Sequence, residues 1–184
     1  GLVLRATDAQ GDVIVGETYY SIGGGFVLTA AELAAGKAQE DGPPVPYPFD
    51  TAEAMLRMAR DSGLSVAAMK RANELTRRDA ASLDRGLDRV WEVMAACIDR
   101  GLSAEGILPG GLKVRRRAAA IHRSLLAERG LNLTPPHTIN DWMSAYAMAV
   151  NEENAAGGQV VTAPTNGAAG VVPAVIRYWL DHVP

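Results

Sequence analysis

The chain has 184 residues, is 48% hydrophobic and carries a formal net charge of −3. That size suits one compact domain, or one domain with part of another attached. The balance of charge excludes a strongly basic nucleic-acid groove, the single cysteine excludes an internal disulfide framework, and no run reaches the ~18 apolar residues of a membrane span. With aromatic residues at only 5% and Ala and Gly abundant, closely packed helices are favoured over an aromatic-rich sandwich. The lone thiol points to a reducing, cytoplasmic setting.

Leu2-Val3-Leu4-Arg5-Ala6 and Asp12-Val13-Ile14-Val15-Gly16 are β-rich runs on either side of Asp8-Ala9-Gln10-Gly11. Gly11 supplies the positive φ that a short loop wants, so the segment predicts a β-hairpin whose second strand reaches Tyr19-Tyr20. A lone hairpin is marginal in water. The expectation is that residues 1–28 are the tail of a truncated α/β domain. Gly1-Leu2 opens directly into strand sequence with no charged leader, as expected of a chain cut from something larger.

Thr29-Ala30-Ala31-Glu32 has the capping-box pattern of a short helix. The run Gly42-Pro43-Pro44-Val45-Pro46-Tyr47-Pro48 fixes φ and removes donors, and residues 29–50 therefore read as a linker. Asp50 is placed to cap a helix with Glu53 three residues on and Gly63 at its end. Ser65 caps another, running to Asn73-Glu74-Leu75. Ser82 opens a long helix in which Leu83, Leu87, Val90, Trp91, Met94 and Ile98 recur at helical spacing, with its end at Gly101. Two more are expected over about Arg115–Arg129 and Thr138–Ala155, and a last one from near Asn166 or Gly167. The fold class is mainly α: a helical region over 51–184, preceded by the β-hairpin remnant.

Three glycine-rich stretches are candidates for chemistry. In Tyr19-Tyr20-Ser21-Ile22-Gly23-Gly24-Gly25-Phe26, the glycine amides either form an anion-binding nest or simply turn the chain. In Glu105-Gly106-Ile107-Leu108-Pro109-Gly110-Gly111-Leu112-Lys113-Val114, Lys113 either meets a carboxylate or projects into water. The third runs from Asn151-Glu152-Glu153-Asn154 through Ala155-Ala156-Gly157-Gly158 to Thr162-Ala163-Pro164-Thr165-Asn166-Gly167. Hydroxyls and an Asn at a helix start can hold a carboxylate, although Thr165 or Asn166 serves equally as an ordinary N-cap. Glu152 and Glu153 are a possible acid/base pair, but they splay about 100° apart and cannot both face one substrate on a regular helix, so a solvated position is expected for at least one of them. Arg115-Arg116-Arg117 reads as a polar helix face or first turn rather than an anion site. Cys97, between Ala96 and Ile98, reads as a buried structural thiol. His122, His137 and His182 are far apart and lack zinc spacing.

Five strings, in order, resemble the bacterial iron–sulfur-dependent L-serine dehydratases. They are Tyr19 through Phe26, Val45-Pro46-Tyr47-Pro48-Phe49, Ala96-Cys97-Ile98-Asp99-Arg100-Gly101, Glu105 through Gly110, and Ala149 through Gly167. The resemblance covers essentially the whole chain. It implies an internal fragment of an enzyme that deaminates L-serine to pyruvate and ammonia in amino-acid catabolism and gluconeogenesis, with a [4Fe–4S] cluster as Lewis acid. It further implies an N-terminal α/β domain before a helical catalytic domain, a homodimer, and three cluster cysteines downstream of this chain. Cys97 matches none of those ligand patterns, so no cluster is expected on the 184 residues, which are expected to be inactive alone. The implied L-serine pocket is lined by Ser21, Gly23, Gly24, Gly25, Thr162, Thr165, Asn166 and Gly167, with Glu153, Asn154 and Lys113 as weaker candidates and no general base assigned. Departures from the family pattern are Ala169, often cysteine, Gly111, and Arg115, where Val-Pro-Arg-Arg is commoner. A cluster-dependent lyase acting on cysteine and a non-catalytic amino-acid-binding helical domain are the alternatives.

Overall fold

The computed structural model describes residues 1–23, 26–36, 43–129 and 136–184. Their elements are β1 (Leu2–Thr7), β2 (Val13–Gly23), β3 (Phe26–Thr29), α1 (Ala30–Ala34), α2 (Ala52–Ser62), α3 (Val66–Glu74), α4 (Ala80–Ser103), α5 (Ala118–Glu128), α6 (Thr138–Ala155) and α7 (Asn166–His182). The mainly helical class expected from the sequence holds, with a small antiparallel sheet ahead of the helices.

The expected hairpin is present, and it carries a third strand. β1 pairs antiparallel with β2, Leu2 opposite Tyr19 and Arg5 opposite Gly16, and β2 pairs with β3, Tyr20 opposite Leu28. Asp8 organises the first turn: its Oδ1 accepts from the amides of Gln10 and Asp12 at 3.0 and 2.9 Å, and Gly11 takes φ +91°. α1 opens with the capping box read from the sequence, Thr29 Oγ1 accepting from the Glu32 amide at 3.2 Å and Glu32 Oε2 from the Thr29 amide at 2.8 Å.

The chain divides into two compact units, Gly1–Gly36 with Val90–Pro184, and Lys37–Arg89. In the second unit, Asn73 on α3 clamps the proline-rich segment. It accepts the Tyr47 amide at 2.9 Å and donates to the Tyr47 carbonyl at 2.8 Å. Two helix starts differ from expectation here. Thr51, not Asp50, caps α2, with its hydroxyl on the Ala54 amide at 3.1 Å. Glu53 then lies in the first turn, where it favours the dipole. α4 begins at Ala80, because Asp79 Oδ1 takes the Ser82 amide at 2.9 Å, and carboxylates cap at least as well as hydroxyls. Gly63 ends α2 in the left-handed region and Ser65 caps α3, as the sequence indicates.

The first unit holds the hydrophobic core: Cys97, Ile98, Leu125, Trp142, Ala145, Tyr146, Val150 and Ala174, contributed by α4, α5, α6 and α7. Two glycines permit this packing. A Cβ on Gly101 would lie 2.4 Å from the Ala149 carbonyl oxygen of α6, and one on Gly170 would lie 2.9 Å from Asn151 Nδ2 and 3.1 Å from the Ala147 carbonyl. Gly101 is therefore not the terminator of the long helix, which continues to Ser103; it is the residue through which α4 touches α6. α5 is shorter than Arg115–Arg129 because Arg115 bridges back to Ile107 in extended conformation.

Two of the three histidines, far apart in sequence, come together in space. His122 and His182 both join an aromatic cluster with Trp142 and Tyr146: His122 meets Trp142 edge-on at 5.5 Å, and His182 lies 4.6 Å from Trp142. The Tyr146 hydroxyl lies 3.1 Å from His182 Nε2 and donates to Asp181 Oδ2 at 3.2 Å. No group of three metal-ligating side chains occurs among the described residues, and no described helix is long and apolar enough to cross a membrane.

Gly101→Ala should destabilise the protein by about 1–3 kcal/mol, since the new methyl meets backbone rather than a movable side chain. Gly86→Ala on the same helix, whose Cβ would meet nothing within 4 Å, should be neutral or raise stability by up to ~1 kcal/mol. Thermal midpoints of the two variants, read by circular dichroism, provide the comparison.

Candidate functional site

The C-terminal turn of α6 carries two adjacent carboxylates, and both are buried, each only 7% exposed. The solvated position expected for at least one of them is thus overturned. The 100° splay is real, but each side chain points into a different set of donors. Glu152 Oε1 accepts the Arg117 amide at 2.7 Å and the Ala118 amide at 3.3 Å, capping the N-terminus of α5. That helix has no side-chain cap of its own, so an acidic residue from α6 serves its dipole instead.

Glu153 turns the other way. Its Oε1 accepts from Arg116 Nη1 at 2.9 Å and its Oε2 from Arg100 Nε at 3.1 Å. The Arg116 leg is enclosed, its side chain about as buried as that of the glutamate, whereas the Arg100 side chain is 45% exposed. Burial opposes ionisation of Glu153. The hydrogen bonds and charges of Arg116 and Arg100 outweigh it, and the carboxyl sits below its ordinary range. Arg116 is therefore neither a helix face nor a first turn.

From Arg100 the network reaches the loop: its Nη2 donates to the Gln159 carbonyl at 2.9 Å. The turn leading there is a Schellman motif. The Gly158 amide donates to the Glu153 carbonyl at 2.8 Å and the Gly157 amide to Asn154 at 3.2 Å, with Gly157 at φ +80°. Gly158 is required by proximity, since a Cβ there would lie 2.8 Å from Glu153 Oε2. Residues 159–164 then run without helix or strand to Thr165, whose hydroxyl accepts the Ala168 amide at 3.1 Å and starts α7. The amides of Asn166 and Gly167 have no partner among the described residues. Among the described residues they are free N–H groups at the positive end of a 17-residue helix.

Thr165 caps α7 and Asn166 and Gly167 open it, with Thr162 in the segment just before, all exposed, while half-buried Asn154 and buried Glu153 lie at the end of α6. Ser21 and Gly23 lie at the end of β2, opposite Val27 and Phe26; Gly24 and Gly25 lie outside the described residues. Among the described residues no hydrogen bond joins Ser21 to the 162–167 segment. Lys113 is exposed, at φ +51°. Sequence reasoning missed Arg100, Arg116 and the capping role of Glu152. Arg100 had a signal: it lies one turn from Cys97, on a face otherwise apolar. Cys97 is buried as expected, and burial pushes its thiol pKa up.

Residues 61–184 match the serine dehydratase alpha chain family. The chain is 50% identical over its full length to an L-serine dehydratase of Streptomyces coelicolor, covering 40% of that protein. It is 47% identical to L-serine dehydratase 1 of Escherichia coli over 99% of the chain and 39% of the relative, and 38% identical to an L-serine dehydratase of Helicobacter pylori over 99% and 40%. The chain belongs to the serine dehydratase alpha chain family. It spans about 40% of the length of these relatives.

Glu153→Gln leaves buried Arg116 with a neutral partner and should cost about 3–5 kcal/mol, read by urea unfolding. Acid should act in two stages. His122 and His182 are held below the ordinary imidazole pKa, first by burial and then by Arg177 and Arg129 respectively, partly offset by Asp181 and, for His122, Asp99. Their depressed values mean the unfolded chain binds protons first, so stability falls as pH drops below about 6.5. The Glu153 contribution persists until about pH 4.3 and is lost through its lower folded value. A His122→Gln/His182→Gln protein should lose the first stage and keep the second, as measured by unfolding free energy between pH 8 and 3.

Proposed function

We propose that these residues form part of the substrate pocket of an L-serine dehydratase, an ammonia-lyase converting L-serine to pyruvate and ammonia. One observation carries the reading: the collinear likeness of the entire chain, at 38–50% identity, to proteins of that name. The geometry supports a specific division of labour. The substrate carboxylate docks on the Asn166 and Gly167 amides, where the dipole of α7 contributes ~0.3–2 kcal/mol. The hydroxyls of Thr162 and Thr165 and the side chain of Asn166 orient the bound amino acid. Ser21 with the Gly23–Gly25 run, and Asn154 and Lys113 more weakly, complete the proposed pocket. Both Glu153 oxygens are engaged by arginines, so we assign it to positioning: it orders Arg100, and Arg100 orders the loop at Gln159.

The residues of this chain do not fit a [4Fe–4S] cluster. Such a cluster needs several thiolates, and the one cysteine is buried in the core with its thiol form favoured. The cluster that acts as Lewis acid in this reading is held by other parts of a longer protein. That protein is proposed to be a cytoplasmic homodimer, built from a domain ending near residue 28, a linker over 29–50 and a catalytic domain beginning at 51.

The full-length protein, reconstituted anaerobically with iron and sulfide, should form pyruvate from L-serine, whereas the 184-residue chain alone should form none. Thr165→Val in the full-length protein should raise KM about tenfold or more, while Thr165→Ser, which keeps the cap hydroxyl, should restore it. Turnover by iron-free protein, or an unchanged KM in Thr165→Val, would sink the assignment.

A further inference from the structure

The return from α4 to α5 encloses a cleft of about 400 Å³, lined by Glu105, Ile107, Arg115, Arg116, Ala119 and Arg123 among others. Its backbone is pinned by an antiparallel bridge between Ile107 and Arg115, whose two hydrogen bonds run from the Leu108 amide to the Val114 carbonyl at 2.8 Å and from the Arg116 amide to the Gly106 carbonyl at 2.9 Å. A rigid cleft of this size lies within the range of small-molecule sites, roughly 300–1,000 Å³.

The charges in its wall are unequal. Arg116 is committed to Glu153. Arg123 pairs with Glu105 through Nη2 and Oε1 at 2.5 Å, but both side chains are about two-thirds exposed, and an exposed pair of this kind is weakly held. Arg115 has no carboxylate partner among the described residues. One positive charge is therefore unmatched, and a second guanidinium is held by a readily exchanged acid.

We propose that this cleft binds a small monocarboxylate, its acid group bridging Arg115 and Arg123 and its carbon chain lying against Ile107, Ala119 and Ala120. Glu105 demonstrates that a carboxylate fits the guanidinium of Arg123, and an incoming acid displaces it there. The single unmatched charge suits a monoanion. A phosphate dianion would leave excess negative charge beside the released Glu105. The aliphatic wall suits a short carbon chain rather than a bare inorganic ion. The proposal does not rest on the dehydratase reading.

Titration of sodium acetate, sodium pyruvate and inorganic phosphate into 15N-labelled protein at constant ionic strength tests it, following the Nε–Hε resonances of Arg115 and Arg123. Acetate and pyruvate should shift both resonances saturably, and phosphate should bind more weakly than either. Arg115→Gln should weaken carboxylate binding about tenfold, read at Arg123. Glu105→Gln should strengthen it several-fold by removing the competing acid, and Arg78→Gln, at a surface pair in the other unit, should change nothing. All three side chains of the cleft that the test alters or observes are exposed, so the variants should keep the fold. The proposal is overturned by non-saturable shifts, by phosphate binding more tightly than both carboxylates, by unchanged affinity in Arg115→Gln or Glu105→Gln, or by an equal loss in Arg78→Gln.

Discussion

Two neighbouring carboxylates without solvent are costly unless each is fully supplied with donors. Glu152 and Glu153 meet that requirement by diverging, and the arrangement of α4, α5, α6 and the loop after α6 follows from how they do so. Glu152 requires the start of α5 to present its amides. Glu153 requires Arg100 from α4 and Arg116 from the strand-like return before α5. Moving any one of these segments by an ångström leaves a charge without its counterpart in a region of low polarity. The C-terminus of α6 is consequently a junction that accepts only one arrangement of its neighbours.

The small residues around this junction act together with the charges. Gly101 brings α4 against the Ala149 carbonyl, Gly170 brings α7 against α6, and Gly158 leaves room for the Glu153 carboxylate. Close helix contact delivers Arg100 to Glu153, and Arg100 in turn holds the Gln159 carbonyl. Rigid support beneath a surface loop is what a binding site for a small polar molecule needs. Here the Glu153–Arg100 pair holds the Gln159 carbonyl at the head of the segment that leads to α7.

Local chemistry was legible in the sequence wherever one segment decides its own conformation. The capping box at Thr29 and Glu32, the left-handed Gly63 after α2, the Ser65 cap and the bounds Thr138–Ala155 are all visible in neighbouring residues. Long-range partners were not. Nothing next to Glu152 or Glu153 announces that α5 lacks its own cap, or that arginines 37 and 53 residues away will close on Glu153. Gly101 looks like a helix terminator in one dimension and serves as a contact point in three. His122 and His182 look unrelated until α5, α6 and α7 place them on the same indole. The segment 162–167 stands out in the sequence, whereas the Arg100 contact to Gln159 ahead of it does not.

Cys97 has one further consequence. Its sulfur is enclosed by the core that α4 shares with α6, and alkylating reagents attack the thiolate of an accessible cysteine. Modification must therefore wait for that core to part, which makes this single sulfur a natural stopwatch for transient opening of the helical assembly. In a chain with no competing thiol, maleimide capture under native conditions measures how often the helices separate when the reagent outpaces reclosing, and how populated the open state is when it does not.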